Sequence, residues 1–253
     1  MNEKGIITEE YYSAPASSAK KRMLVYTPPG YDGKKLPVLY LLHGIGQTEE
    51  SWTEKCGAAE IFDEAVLSGA AEPFFAVMPN GRASEGGGIP GEKFGLEHIR
   101  VFMDFEAELM SCVMPFVESR YNIDAKRERR AVTGFSMGGY QSVNFGLTHL
   151  DKFAYIGGFA PAPAVDPESC AAEFLKDNGG VDLKKLIRLF YITNGTEETG
   201  GEGIFGEFAV YGRRCAEFAE RAGLEFTYRT FDGGHEPRVW KESLRDFVGR
   251  LWK

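Results

Sequence analysis

No stretch of this chain approaches 18 uncharged apolar residues, so a membrane-spanning helix is not expected and membrane partnership is set aside. The opening residues Met1-Asn2-Glu3-Lys4-Gly5 lack the charged-then-apolar pattern of a secretory leader. Positive charge is scarce too. Lys and Arg number 29 against 37 Asp and Glu, a net of −8, which argues against a nucleic-acid partner because phosphate binding needs clustered cations. The short Lys20-Lys21-Arg22 run is read as a solvated strand edge. Cysteine is confined to Cys56, Cys112, Cys170 and Cys215, widely spaced and without a CxxC pair, so no metal site and no dithiol redox motif are expected. Four reduced thiols fit a cytoplasmic protein, although a chain trimmed of its leader would read the same and a secreted precursor stays open. Repeats, low-complexity tracts and composition shifts are missing, so residues 1–253 are expected to form one domain. Its oligomeric state is not legible, and a homodimer stays open.

What is present is alternation. Short apolar runs recur at Met23–Tyr26, Val38–Leu42, Phe74–Met78, Ala131–Phe135, Tyr155–Phe159, Leu189–Thr193 and Phe226–Phe231. Several are apolar at consecutive positions, as in strands covered on both faces. Helix-like stretches separate them at Glu60–Leu67, Glu97–Tyr121, Ser136–Leu150, Phe208–Ala222 and Pro237–Leu251. The pattern predicts the α/β class: a mostly parallel central sheet with helices on both faces. Two Gly-rich segments, Gly81–Gly95 and Gly195–Gly206, each follow a predicted strand, where open α/β sheets place ligand-binding loops.

Gly134-Phe135-Ser136-Met137-Gly138 fits G-x-S-x-G, in which a serine sits on a strained strand-to-helix turn and flanking glycines make room for it. The plain alternative is a helix-capping serine. A serine hydroxyl needs a base at neutral pH, and histidine is the side chain suited to the task. Of the four histidines, His98 and His149 are read as surface or packing residues. His235 lies in Phe231-Asp232-Gly233-Gly234-His235 after the last strand, where the hydrolase order serine, acid, histidine puts the base. Backbone donors for a developing oxyanion are expected at Ile45, in the turn after Leu42-His43-Gly44, and at Met137. His43 is read as holding that turn. The acid belongs after Leu189–Thr193, where no aspartate follows. Glu198 is the first candidate, with Glu197 and Glu202 behind it; Asp232 is read as a turn residue.

Taken together, Tyr40-Leu41-Leu42-His43-Gly44-Ile45-Gly46, Met78-Pro79-Asn80, Gly134–Gly139, Asp151–Gly157, Gly233-Gly234-His235 and Val239-Trp240 resemble the esterase D-like α/β hydrolases. The similarity runs from about Tyr26 to Phe247 and is greatest to feruloyl esterases of the carbohydrate-esterase type. The resemblance implies an α/β-hydrolase fold and a serine esterase acting on esters of hydroxycinnamic acids with plant cell-wall sugars, as in xylan. It places the nucleophile at Ser136, the histidine at His235, the oxyanion donors at Ile45 and Met137, and the acid at Glu198, where the family usually carries aspartate. Extra residues around Thr199–Gly203 are a second departure, and His235-Glu236-Pro237 a third.

The chemistry needs no metal or organic cofactor. The expected partner is a small-molecule or oligosaccharide ester, held by Trp52, Phe94, Ile204, Phe205 and Trp240 on loops near the site. An acetyl or other short-chain esterase, a thioesterase resembling S-formylglutathione hydrolase, and a non-catalytic carbohydrate-binding homologue are the alternatives.

Overall fold

The computed structural model describes residues 4–163, 166–200 and 204–253, with the backbone alone at 199–200 and 204–206. Eight strands lie in one sheet: β1 (Ile6–Tyr12), β2 (Lys21–Thr27), β3 (Val38–Leu42), β4 (Phe75–Pro79), β5 (Arg130–Gly134), β6 (Tyr155–Phe159), β7 (Leu189–Gly195) and β8 (Phe226–Phe231). Their order is β1-β2-β4-β3-β5-β6-β7-β8, with β2 antiparallel to both its neighbours, β1 and β4, and every pairing from β4 to β8 parallel.

Side-chain alternation divides the core into two layers. Along β3, Val38, Tyr40 and Leu42 face one cluster while Leu39 and Leu41 face the other. The first face is covered by α6 (Met137–Thr148), α7 (Pro167–Asp177) and α9 (Ile204–Ala222), with α4 (Phe105–Glu108), α5 (Met114–Arg120) and the short α8 (Leu183–Leu186) beside them. α1 (Ser51–Cys56), α2 (Ala58–Leu67) and α10 (Pro237–Val248) cover the second. Double coverage is why β3 to β7 are buried at every position.

The sheet confirms the predicted class and corrects the reading in three places. β1 carries no strand signal in the sequence because Ile6-Ile7-Thr8-Glu9-Glu10 mixes apolar and acidic residues on an edge strand open to water. The helix expected at Glu97–Tyr121 is divided into α3 (Leu96–Met103), α4 and α5, with a π turn at Leu109–Val113. Lys21 is not solvated: it is fully buried, and its ammonium bonds the Glu108 carboxylate and the Arg82 carbonyl. The hydroxyl of Tyr12 donates to the same carboxylate at 2.6 Å.

Candidate active site

β5 ends at Gly134 and α6 starts at Met137, so Phe135 and Ser136 alone make the reversal. Ser136 adopts φ 57° and ψ −120°, a conformation that costs a residue with a Cβ about 1–3 kcal/mol. Hydrogen bonds hold it there. Its N–H donates to the Phe159 carbonyl at 2.9 Å, and its own carbonyl accepts from Tyr140 at 2.9 Å and Ala162 at 3.0 Å. Although Ser136 occupies the N-cap position, its side chain makes no capping bond, so capping does not account for the hydroxyl. Gly134 and Gly138 abut the Leu42 carbonyl, where a Cβ on either would collide. This close approach seats the serine turn on the end of β3; a Cβ on Gly44 would lie 3.1 Å from that of Ser136.

Two loops at the ends of β7 and β8 bring the other side chains together. Gly195 closes β7 and a 3₁₀ turn, Thr196–Gly200, follows. The turn leaves Glu197 exposed and Glu198 buried. One Glu198 oxygen lies 2.6 Å from His235 Nδ1; the other accepts from the Asn194 amide at 2.9 Å and the Gly195 N–H at 2.8 Å. The carboxylate is thus aimed by its own turn. The loops are laced to each other by Glu197 N–H to Gly233 O at 2.9 Å and Gly233 N–H to Thr196 Oγ1 at 3.2 Å. The His235 ring rests between Phe208 and Trp240, with centroids at 4.4 and 5.2 Å. Asp232 ion-pairs with Arg238 at 3.2 Å, as a turn residue would, while Glu202 lies outside the described residues.

Met137 opens α6, where helix N–H groups have no intrahelical partner and favour negative charge. Ile45 sits half-buried in the turn after β3, and both join a small apolar cluster with Tyr140, Ala162 and Phe208. His43, two residues before Ile45, is buried, its Nδ1 2.8 Å from the Gly44 carbonyl and its Nε2 against that of Asn80. Burial, reinforced by the nearby charge of Arg82, lowers its pKa to about 4, so the ring is neutral at ordinary pH and acts as a brace for the turn. His98 is buried and accepts the Phe94 N–H at 3.1 Å; His149 faces Glu106 at 3.0 Å.

The residues expected to touch substrate divide. Trp52 is fully buried beneath Phe135 and Phe159, and its indole N–H donates to the Leu42 carbonyl at 3.0 Å, which makes it a core residue. Trp240 is 4% exposed and stacks on Phe135 at 4.0 Å; it backs the His235 ring and does not line open space. Phe94 is 57% exposed, at φ 69°, with its ring against the Gly46 turn. The side chains of Ile204 and Phe205 lie outside the described residues. Two residues near the site were not foreseen. Asn194, which aims Glu198, had a signal in an amide ending an otherwise apolar strand; Phe208, which packs on His235, had none.

A family model described as "Putative esterase" matches residues 16–251. An endo-1,4-beta-xylanase/feruloyl esterase of Xylanibacter ruminicola is 30% identical over 236 residues, covering 90% of this chain and 29% of that protein. An S-formylglutathione hydrolase of Paracoccus denitrificans is 26% identical over 162 residues, 59% of this chain and 55% of the relative. The chain therefore spans less than a third of the first relative and about half of the second. Among solved structures, a ferulic acid esterase of Anaeromyces mucronatus in complex with ferulic acid superposes with a TM-score of 0.81 at 24% identity, covering 98% of this chain and 91% of that one.

Proposed function

The chain belongs to the esterase family, and from that premise we propose that it is a serine carboxylester hydrolase whose substrates are feruloyl or related hydroxycinnamoyl esters of sugars. The observation that carries the reading is Ser136 itself, held in a costly conformation with a hydroxyl that caps nothing. Strain kept at a turn of this kind is explained by a task for the side chain.

In the proposed mechanism Ser136 Oγ bonds to the ester carbonyl carbon as its proton passes to His235, and the carbonyl electron pair moves onto oxygen. The N–H groups of Ile45 and Met137 stabilise that oxyanion. Glu198 fixes the His235 ring through the 2.6 Å contact at Nδ1, leaving Nε2 as the basic nitrogen, and stabilises the imidazolium. Collapse expels the sugar alkoxide, which takes the proton from His235. Water, deprotonated by the same imidazole, then attacks the acyl-enzyme carbonyl; collapse breaks the Oγ–acyl bond, Ser136 takes that proton back from His235, and the acid is released. Met137, Tyr140, Ala162 and Phe208 form one apolar cluster that would back a planar acyl group, with the exposed Phe94 ring proposed as a further contact.

The test compares wild-type protein with Ser136→Ala on methyl ferulate and p-nitrophenyl acetate, beside labelling by a fluorophosphonate. Serine-dependent preference for ferulate is expected; activity on acetate alone moves the acyl class, and no labelling of wild type removes the esterase reading. A thioester substrate is the second reading, supported by the Paracoccus relative, and turnover of S-formylglutathione above that of methyl ferulate would establish it.

A further inference from the structure

Burying a guanidinium is costly unless its N–H groups find acceptors, and Arg82 is only 3% exposed. Among the described residues its bonds do not run to a carboxylate. Glu49, the acid whose charge acts on it, is itself bonded to Arg22 at 2.7 Å and to Asn80 at 2.9 Å. The Arg82 fork reaches two backbone carbonyls instead, Nη1 to Gln47 at 2.6 Å and Nε to Gly87 at 2.8 Å, while the guanidinium lies 5.7 Å from the Phe102 ring centre. These carbonyls belong to different loops. Gln47 closes the turn that carries Ile45, its N–H reaching the Gly44 carbonyl at 3.3 Å, and Gly87 lies in the Gly-rich segment beyond β4. The carbonyl of Arg82 is anchored in turn by buried Lys21.

We propose that Arg82 is a positioning residue for the oxyanion turn: by holding the Gln47 carbonyl it holds the residue whose N–H bonds the Gly44 carbonyl, and that carbonyl shares one peptide plane with the Ile45 N–H, whose direction is thereby set. Among the described residues no carboxylate bonds its guanidinium, and its charge adds to the positive potential of that turn. The assignment rests on the ester-hydrolase reading. An N–H donor helps only when aimed at the place where charge develops, so misdirection weakens transition-state binding far more than ground-state binding.

Steady-state kinetics on methyl ferulate, with thermal unfolding recorded alongside, test this. Arg82→Lys keeps the charge but loses the fork and is expected to lower kcat about tenfold; Arg82→Ala is expected to lower it about 100-fold, with KM within about twofold in both. Affinity for a trifluoromethyl ketone, which forms a tetrahedral adduct on the serine, should fall in step with kcat while affinity for free ferulate holds. Added guanidinium should restore turnover to Arg82→Ala, and urea, of the same shape without charge, should not. If Arg82→Ala fails to fold, Arg82→Lys and its ketone affinity carry the test. Variants with kcat within about twofold of wild type, or equal losses of ketone and ferulate affinity, overturn the role of Arg82. Wild-type protein inert towards every ester overturns the hydrolase reading instead.

Discussion

Replacing Glu198 by glutamine changes one heavy atom and removes one charge, yet its consequences are set by the three donors around it. Glu198 is 2% exposed and accepts from Asn194 and Gly195 on one oxygen and from the His235 ring on the other. A glutamine amide has two orientations. With its oxygen towards His235, its NH₂ meets the Asn194 and Gly195 donors, leaving both buried and unpaired at about 1–3 kcal/mol each. With its oxygen towards Asn194 and Gly195, both donors are satisfied and the NH₂ faces Nδ1. The second orientation wins by several kcal/mol. It forces the His235 proton onto Nε2, the nitrogen proposed to receive the proton of Ser136. In Ser-His-Asp enzymes the matching Asp→Asn change lowers kcat about 10⁴-fold through the same wrong tautomer, or about 5 kcal/mol of barrier. Glu198→Gln should therefore lose about four decades of kcat on methyl ferulate while its unfolding free energy stays within about 1 kcal/mol of wild type. Turnover within tenfold of wild type would refute both the acid assignment and the tautomer argument.

Other outcomes follow from strain and burial. Ser136→Gly removes the cost of φ 57° and, after allowing for the flexibility glycine adds to the unfolded chain, should be about 1 kcal/mol more stable than Ser136→Ala in urea titrations; equal stability would show that the turn stores no strain. Lys21→Met leaves the Glu108 carboxylate buried without its cation, and should cost about 3–5 kcal/mol by the same assay, a loss under 1 kcal/mol meaning that water reaches the pair. Burial pushes the thiols of Cys56, Cys170 and Cys215 up to about 12, so at pH 8 a disulfide reagent should reach Cys112 alone in the native protein and all four after unfolding. Fast native reaction of a second thiol would contradict the packing.

Much of this architecture is legible because its strands are covered on both faces. Val38–Leu42 and Leu189–Thr193 read as continuous apolar runs since each residue meets one of two cores. The edge strand β1 lacks that signal. Motif glycines were equally readable, because close packing of the serine turn on β3 tolerates nothing larger at Gly134 or Gly138. Long-range partnership was not. Lys21 looked like surface because its partner, Glu108, lies 87 residues away. Trp52 and Trp240 flank motif loops as substrate-binding aromatics would, yet both pack on Phe135; composition cannot tell a wall from its support. That Glu198 and not Glu197 meets His235 turns on a single 3₁₀ step, a rotation of about 120° that places one side chain inward and its neighbour in water.

The two halves of the site are built into the sheet to different depths. Ser136 and the Ile45 turn end β5 and β3, strands paired on both sides, whereas His235 follows β8, which among the described residues pairs with β7 alone and is nowhere fully buried along its length. Fraying of that margin would carry His235, the proposed base, away from Ser136, the proposed nucleophile, while the central strands stayed folded. Heat should thus silence this protein before it melts, and cooling should return the histidine to its place without the chain having to fold again.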